Sequence, residues 1–437
     1  MKTGDLELGN IQKHVQHLVY RVNQQDSQTD QFPPSIYMLP HTLRDISPSS
    51  FNPQVVSIGP LHREDANVQA FEKTKITYMN KLMRHTKSPR EEVLNSCMKK
   101  AYTLMDEIKS CYVWTKTYGD AQIAEMMVMD ACFILEFING LERADNPYAG
   151  NKSQFSGVLF DLVLLENQIP FFFLKQIYEC TILKNHPNVS LVSFMKKILK
   201  FLNIFTGDIV IDYISSNTNI HHILSLLHEC YKPPDDIKPT SPRPKIIYSA
   251  ADLHRAGVNF KPKQIIPKWE MMMEVKLNRF PCFPGSWGKA TLTMPVLKVG
   301  DSTEKILRNL IAYEQSSPTC NHITSYAYAM DMLVNTSEDV AKLVDSGVVI
   351  NEMGSNEEVA NMINDICKLV LREDFFYNEQ WETLYNYSNS YWPKNIAWLR
   401  STYFSSPWSI IALFAGIILF VLTLVQTIFT VNPVGSN

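Results

Sequence analysis

From Ser401 to Asn437 the chain carries no Asp, Glu, Lys, Arg or His, and the centre of that stretch is a nearly unbroken run of aliphatic and aromatic residues. Such a run is either a membrane span or a core helix. Ser409–Thr430, at about 1.5 Å of rise per residue, reaches about 33 Å as an α-helix, and a hydrocarbon core is about 30 Å thick. Ile410, Ile411, Leu413, Phe414, Ile417, Ile418, Leu419, Phe420, Val421, Leu422, Leu424, Val425, Ile428 and Phe429 each favour insertion by roughly 0.3–0.6 kcal/mol. Gly416, Thr423, Gln426 and Thr427 offset part of that. Core helices are usually shorter or keep a polar stripe. The sequence therefore predicts one transmembrane helix over 409–430 and a short tail, 431–437. Pro407 suits a helix start, and Tyr403, Phe404 and Trp408 suit a membrane interface.

Flanking positive charge favours the cytoplasmic side, and Lys394 and Arg400 precede the span while no charged side chain follows it. The large N-terminal part is expected in the cytosol, with membrane lipid as the partner of the last helix. The first residues have no apolar core of signal-peptide length and place Asp5 and Glu7 where a basic region would stand. The expected topology is single-pass and tail-anchored.

With 437 residues, 45% hydrophobic and 19% charged, the rest of the chain has ample material for a core. A formal net charge of −3 and the lack of any dense Lys/Arg block argue against nucleic acid as a partner. Cys97, Cys111, Cys132, Cys180, Cys230, Cys282, Cys320 and Cys367 include no C-x-x-C pair and read as reduced, buried thiols. Sequons at Asn151, Asn188, Asn335 and Asn386 matter only if the orientation is reversed.

Residues 1–31 are polar and Gln-rich and read as a flexible arm. Residues 32–400 are expected to form a mainly helical soluble domain. Ser88-Pro89-Arg90-Glu91 has the form of a capping box, and Leu94, Cys97, Met98, Ala101, Leu104, Met105, Ile108 and Tyr112 follow at the spacing of one amphipathic helix. Asp120 is the expected cap of a second helix, apolar all round and stopping near Gly140. Ser156–Cys180 reads as two short helices broken at Pro170. Helices are expected next at Ser190–Ile204, Asn219–Cys230 and Asp252–Ala256. The proline-rich loop 232–245 divides the region into two sequence blocks. Thr291–Val299 reads as a strand. Further helices are expected from Asp301, over His322–Leu333, from Thr336 to Gly347, and from Ser355. The fold class expected is mainly α: a helical globular domain with few short strands, plus the terminal span. Trp381, Trp392 and Trp398 fall in an aromatic stretch that reads either as a platform on lipid headgroups or as core-packing helices.

Chemistry is thinly signalled. His221 and His228 would share a helix face with His222, Glu229 and Cys230 nearby, yet the spacing matches no zinc pattern. Gly285–Thr291 resembles a phosphate loop superficially, but Phe283 stands where its first Gly belongs and Thr291 is one place late. Asp161 and Glu166, inside an apolar helix, form a candidate carboxylate pair with raised pKa, or else cap and bridge neighbouring helices. No G-x-S-x-G or G-x-G-x-x-G occurs, no catalytic, metal or cofactor-binding residue is assigned, and no cofactor is expected.

The segments Pro53–Arg63 (PQVVSIGPLHR), Met127–Ile138 (MVMDACFILEFI), Asp161–Leu174 (DLVLLENQIPFFFL), Ser249–Phe260, Leu292–Gln315 and Met330–Asn351, taken in order, resemble the plant family called domain of unknown function 247. The resemblance covers the chain from about residue 35 through the final span. It implies a mainly helical domain with one C-terminal membrane helix and no established biochemical activity. Some grass members of the family are associated with self-incompatibility, which suggests recognition. The resemblance supplies no catalytic residues. The expected function is that of a membrane-tethered interaction module with an unidentified protein partner. The alternative is a membrane-tethered enzyme with an unrecognised site. A deep cleft with converging polar groups near Asp161, Glu166, His221 or Cys230 would favour the enzyme.

Overall fold

Helical apolar spacing becomes helix across the residues described in this computed structural model, namely 13–16, 18–19, 34–114, 116–141, 151–184, 187–211, 214, 218–240, 248–263, 269–278, 289–371, 374–390 and 407–431. The expected arm, the phosphate-loop lookalike, Cys282, Trp392, Trp398, Lys394 and Arg400 fall largely or wholly outside them. The chain divides into two compact units. The first comprises Met1–Leu202, Ile209–Cys230 and Arg308–Ser317; the second comprises Asn203–Asp208, Tyr231–Leu307 and Pro318–Asn437.

The first unit is organised by the helix Asp120–Gly140, buried almost without interruption from Ile123 to Ile138. A helix apolar on every side must be covered on every side. Glu72–His85, Arg90–Thr103, Phe171–Cys180 and Leu191–Leu202 supply cover, and Phe71 and Tyr78 set their rings edge-on to Phe133 at 5.5 and 5.3 Å. The helix starts differently from expectation. Gln122 Oε1 accepts the Gly119 N–H at 3.0 Å, so Gly119 is the cap and Asp120 the first helical residue.

Other boundaries shift for similar local reasons. The capping box at Ser88 does not form, because Pro89 is the N-cap with ψ 138 and Ser88 lies outside the helix. The single helix expected up to Tyr112 breaks at Leu104 into Arg90–Thr103 and Met105–Ser110. The break at Pro170 widens: helix Lys152–Asp161 ends well before it, helix Phe171–Cys180 begins after it, and Leu162–Pro170 is a buried turn.

The second unit holds the strands. β1 (Asn259–Pro262) pairs parallel with β3 (Lys289–Met294), and β3 pairs antiparallel with β2 (Glu274–Asn278). The strand expected over Thr291–Val299 is really two. After Met294 the chain leaves this sheet, and β4 (Leu297–Val299) pairs parallel with β5 (Val349–Asn351). Helices His322–Leu333, Ser337–Asp345 and Asn356–Ile366 follow the sequence-based expectation closely. Trp381 is buried, meeting Phe375 edge-on at 5.5 Å, while Trp269 stacks on Tyr377 at 5.6 Å. For Trp381 the core-packing reading holds and the lipid-platform reading does not.

Over the expected span the chain forms the helix Pro407–Val431. Among the described residues no helix is long and apolar enough to cross a membrane. In this helix the side chains of 407–410, 413, 429 and 431 lie outside those described.

Asp339 ties together three parts of the second unit. It accepts the N–H groups of Ala251 at 2.8 Å, Asn335 at 3.1 Å and Thr336 at 2.9 Å. Asp339→Ala is expected to destabilise this unit by about 1–3 kcal/mol. Glu338→Ala, on the exposed side of the same helix, is the matched control in chemical denaturation and is expected to change little.

Candidate functional site

Pro53–Leu61 is neither helix nor strand, yet most of it is buried. Buried peptide groups without a ladder need side-chain partners. Here a row of polar side chains from distant positions supplies them. Asp161 accepts the N–H groups of Gln54 at 3.0 Å, Val55 at 2.7 Å and Val56 at 2.9 Å. Asn167 accepts Ile58 N–H at 2.6 Å and donates to the carbonyls of Val56 and Asp161 at 3.0 and 2.9 Å. Asp130 accepts Gly59 N–H at 2.8 Å, and Lys75, fully buried, donates to Asp130 at 2.6 Å and to the Ser57 carbonyl at 2.5 Å.

Glu166 closes the row. It accepts the Leu39 N–H at 2.7 Å, both its oxygens receive the Arg44 guanidinium at 2.6 and 2.7 Å, and His62 Nε2 reaches it at 2.9 Å. The other nitrogen of His62 meets Asp65 at 2.7 Å. Burial alone would raise the Glu166 pKa, but hydrogen bonds from His62, Arg44 and the Leu39 amide, with the Arg44 charge, carry it below its ordinary value. His62 moves the opposite way: burial disfavours its charge, but hydrogen bonds to Glu166 and Asp65 outweigh that and raise it.

The proposed carboxylate pair is thereby corrected. Asp161 is the last residue of its helix and Glu166 lies in the turn beyond, each with its own set of donors, and Glu166 is shifted down instead of up. The bridging reading of the two residues is the one the geometry supports. The Asn167–Pro170 break behaves likewise. Gln168 Nε2 donates to the carbonyls of Leu162 and Leu164 at 2.8 and 2.7 Å, its own carbonyl accepts Tyr112 OH at 3.0 Å, and Phe171 N–H meets the His221 carbonyl at 2.7 Å.

His221, His222 and His228 do not share one helical face, because the helix begins at Ile223. They gather instead around the ring of Tyr313, with centroids at 6.3, 5.2 and 5.3 Å. Each has its own polar partner: Tyr313 OH for His221, the Ser225 N–H for His222, and Glu314 at 2.9 Å for His228. Burial drives His222 down to about 3, so its ring is neutral at physiological pH. Cys230 is buried, and burial pushes its thiol up to about 12. A surface depression lined by Arg90, Glu91, Leu94, Asn95 and Met98 touches none of these groups.

Sequence reasoning missed Arg44, His62, Lys75, Asp130 and Asn309 as members of the network. Asn309 accepts Leu165 N–H at 2.9 Å and donates to the Ser50 carbonyl at 2.7 Å. Asp130 carried a readable signal, a carboxylate amid an all-apolar helix; Lys75, in a helix of ordinary polarity, carried none.

These features define a mainly helical protein of two compact units, the first built around a loop braced by buried charge. The chain belongs to the family described as "plant protein of unknown function", DUF247, whose model matches residues 36–422. Two relatives from Arabidopsis thaliana are similar along most of their length. UPF0481 protein At3g47200 is 26% identical over 422 residues, covering 90% of this chain and 85% of its own. Putative UPF0481 protein At3g02645 is 22% identical over 488 residues, covering 90% and 89%. No solved structure matches.

Two outcomes test the network. Gly59 has φ +71, and a Cβ there would lie 2.7 Å from the Gln168 carbonyl. Gly59→Ala is expected to cost about 1–3 kcal/mol or more from strain at this close approach, read as a lowered denaturant midpoint. The His62–Glu166 contact sets a pH window. Because the folded His62 value lies above 6.5, its contribution is full below pH 6.5 and is lost as pH rises through the folded value; Glu166, lowered from 4.5, contributes fully above pH 4.5 and loses its contribution as pH falls through its folded value. The pair is therefore at full strength between those limits. His62→Gln should flatten the decline of the thermal midpoint with rising pH, measured by scans from mildly acidic to mildly alkaline buffer.

Proposed function

We propose that this protein is a single-pass membrane protein, held by the helix Pro407–Val431, whose folded part presents a recognition surface to another protein. The observation that carries the reading is the helix itself: 25 residues without a charged side chain, with Phe414 57%, Leu419 65%, Phe420 65% and Ile428 62% exposed. Apolar side chains exposed to this extent along a helix are unstable in water and stable in lipid. Lys394 and Arg400 precede the helix and favour a cytosolic folded part. Recognition is favoured over catalysis by the use of the charged residues near Asp161 and Glu166, whose polar atoms are taken up by backbone and by one another.

The full chain, expressed in plant cells, is expected to stay in the membrane pellet after alkaline carbonate. Two arginines at the middle of the helix, Leu419→Arg with Phe420→Arg, each cost about 2.5–3.5 kcal/mol at a bilayer centre and should release it. Release of the unaltered chain by carbonate would refute the anchor. Asn335, exposed in an N-T-S sequon, reports orientation: no glycosidase-sensitive mass is expected there, and such a mass would place the folded part across the membrane. Proximity labelling should give reproducible protein neighbours that vanish in the double-arginine variant. A turnover signal abolished by one Asp or Cys substitution would instead establish an enzyme.

A further inference from the structure

A lysine and an aspartate 55 positions apart face each other inside the first unit. Lys75 lies near the start of Glu72–His85 and Asp130 near the middle of Asp120–Gly140, and both side chains are fully buried where these two helices pack. Lys75 Nζ stands 2.6 Å from Asp130 Oδ1. Glu72 Oε1, one turn earlier on the same helix, is 2.6 Å from the same nitrogen, and the Ser57 carbonyl accepts from that nitrogen at 2.5 Å. The Gly59 N–H donates to the other oxygen of Asp130 at 2.8 Å. Tyr78 and Phe133, a turn beyond Lys75 and Asp130, meet edge-on at 5.3 Å along the same seam. An ion pair held this far from water is a costly way to join two helices, because neither charge keeps its hydration.

We propose that Lys75 and Asp130 condense within the folded chain to an amide between Nζ and Cγ, with Glu72 carrying the proton and the Gly59 N–H holding the oxygen on which negative charge develops. Each part of the site meets one demand of that reaction. The two helices hold amine and carboxyl in contact, and well-oriented intramolecular partners reach effective molarities of about 10⁵–10⁸ M. Glu72 is within hydrogen-bond reach of the proton it must take, and Arg63 fixes its other oxygen at 3.0 Å. The Gly59 N–H already points at the oxygen that becomes the oxyanion. Burial outweighs the Lys75 charge and keeps the Asp130 carboxyl above its ordinary pKa, which draws the pair toward amine and acid, the forms that react. The product removes both buried charges and ties the two helices covalently across the braced loop.

The steps balance without oxidant, reductant or co-reactant. The Lys75 ammonium first gives one proton to Asp130 Oδ1, leaving a neutral amine beside a carboxylic acid. The nitrogen lone pair then attacks Cγ: an N–C bond forms, and the electron pair of the C=O bond moves onto Oδ2 against the Gly59 N–H. Glu72 takes a second proton from the nitrogen and passes it to Oδ1. The C–Oδ1 bond breaks, the C=O bond to Oδ2 is restored, and Oδ1 departs as water. One ammonium and one carboxylate become one amide and one water.

The test uses the full-length protein in detergent, read by mass spectrometry after full reduction and denaturation. The unaltered chain is expected to be lighter than its sequence by one water, a reading that needs no variant to fold. Its tryptic digest is expected to hold one branched peptide joining Lys75 to Asp130, uncut after Lys75 and resistant to dithiothreitol. Lys75→Arg and Asp130→Ala should each restore the full sequence mass. Asp130→Asn should link with loss of ammonia in place of water. In Glu72→Gln, sampled at the same time after synthesis, the linked fraction should fall at least about tenfold. Full sequence mass and normal cleavage after Lys75 in the folded, unaltered protein would overturn the proposal, as would a link from Lys75 to Glu72 or undiminished linkage in Glu72→Gln.

Discussion

The first unit depends on how a buried stretch of irregular backbone is kept from losing its hydrogen bonds. Pro53–Leu61 runs through the interior with no ladder, and each unpaired amide there would cost on the order of 1–3 kcal/mol. Asp161, Asn167 and Asp130 accept those amides in sequence, and Asn167 and Lys75 return donors to the carbonyls of Val56 and Ser57. Charge brought inside to satisfy backbone must itself be balanced. Lys75 does so for Asp130, although burial still leaves Asp130 above its ordinary value. Arg44 and His62 do so for Glu166. Asp161 and Glu166, which looked like candidate chemistry, are consumed by this accounting.

The second unit meets the same demand on a smaller scale. Asp339 gathers amides from Ala251, Asn335 and Thr336, tying the start of one helix to the cap of another. Tyr377 donates to the Met271 carbonyl at 2.8 Å and Trp269 to the Tyr231 carbonyl at 2.7 Å. Large aromatic residues are thus placed in the core with their polar ends satisfied, which is the condition under which Tyr and Trp are buried cheaply. The aromatic density of this region, as far as its residues are described, is spent on packing.

Family resemblance and physical role coincide in the first unit. Three of the segments that carry the likeness, Pro53–Arg63, Met127–Ile138 and Asp161–Leu174, are the loop, the helix that bears Asp130, and the turn that bears Asn167 and Glu166. They form one bracing apparatus.

Periodicity, caps and breakers were legible because they act within a few residues. The all-round apolar pattern before Gly140 named a buried helix, and Thr336 with Asp339, Ser355 with Glu358 and Gly347 at φ +71 marked helix ends where they occur. Asp120 and Ser88 misled by one or two positions, since Gly119 with Gln122 and the extended ψ of Pro89 settled those starts.

What the sequence determined by itself was local: helix content, the uncharged terminal run, the proline breaks and the family. What tertiary structure decided was every pairing between distant residues, from the split of Thr291–Val299 between two sheets to the meeting of Glu166 with His62. The physical reason is that a carboxylate or a thiol carries no record of its partner. Its role is set by which buried donor, cation or sulfur the packing of remote helices brings within about 3–4 Å of it.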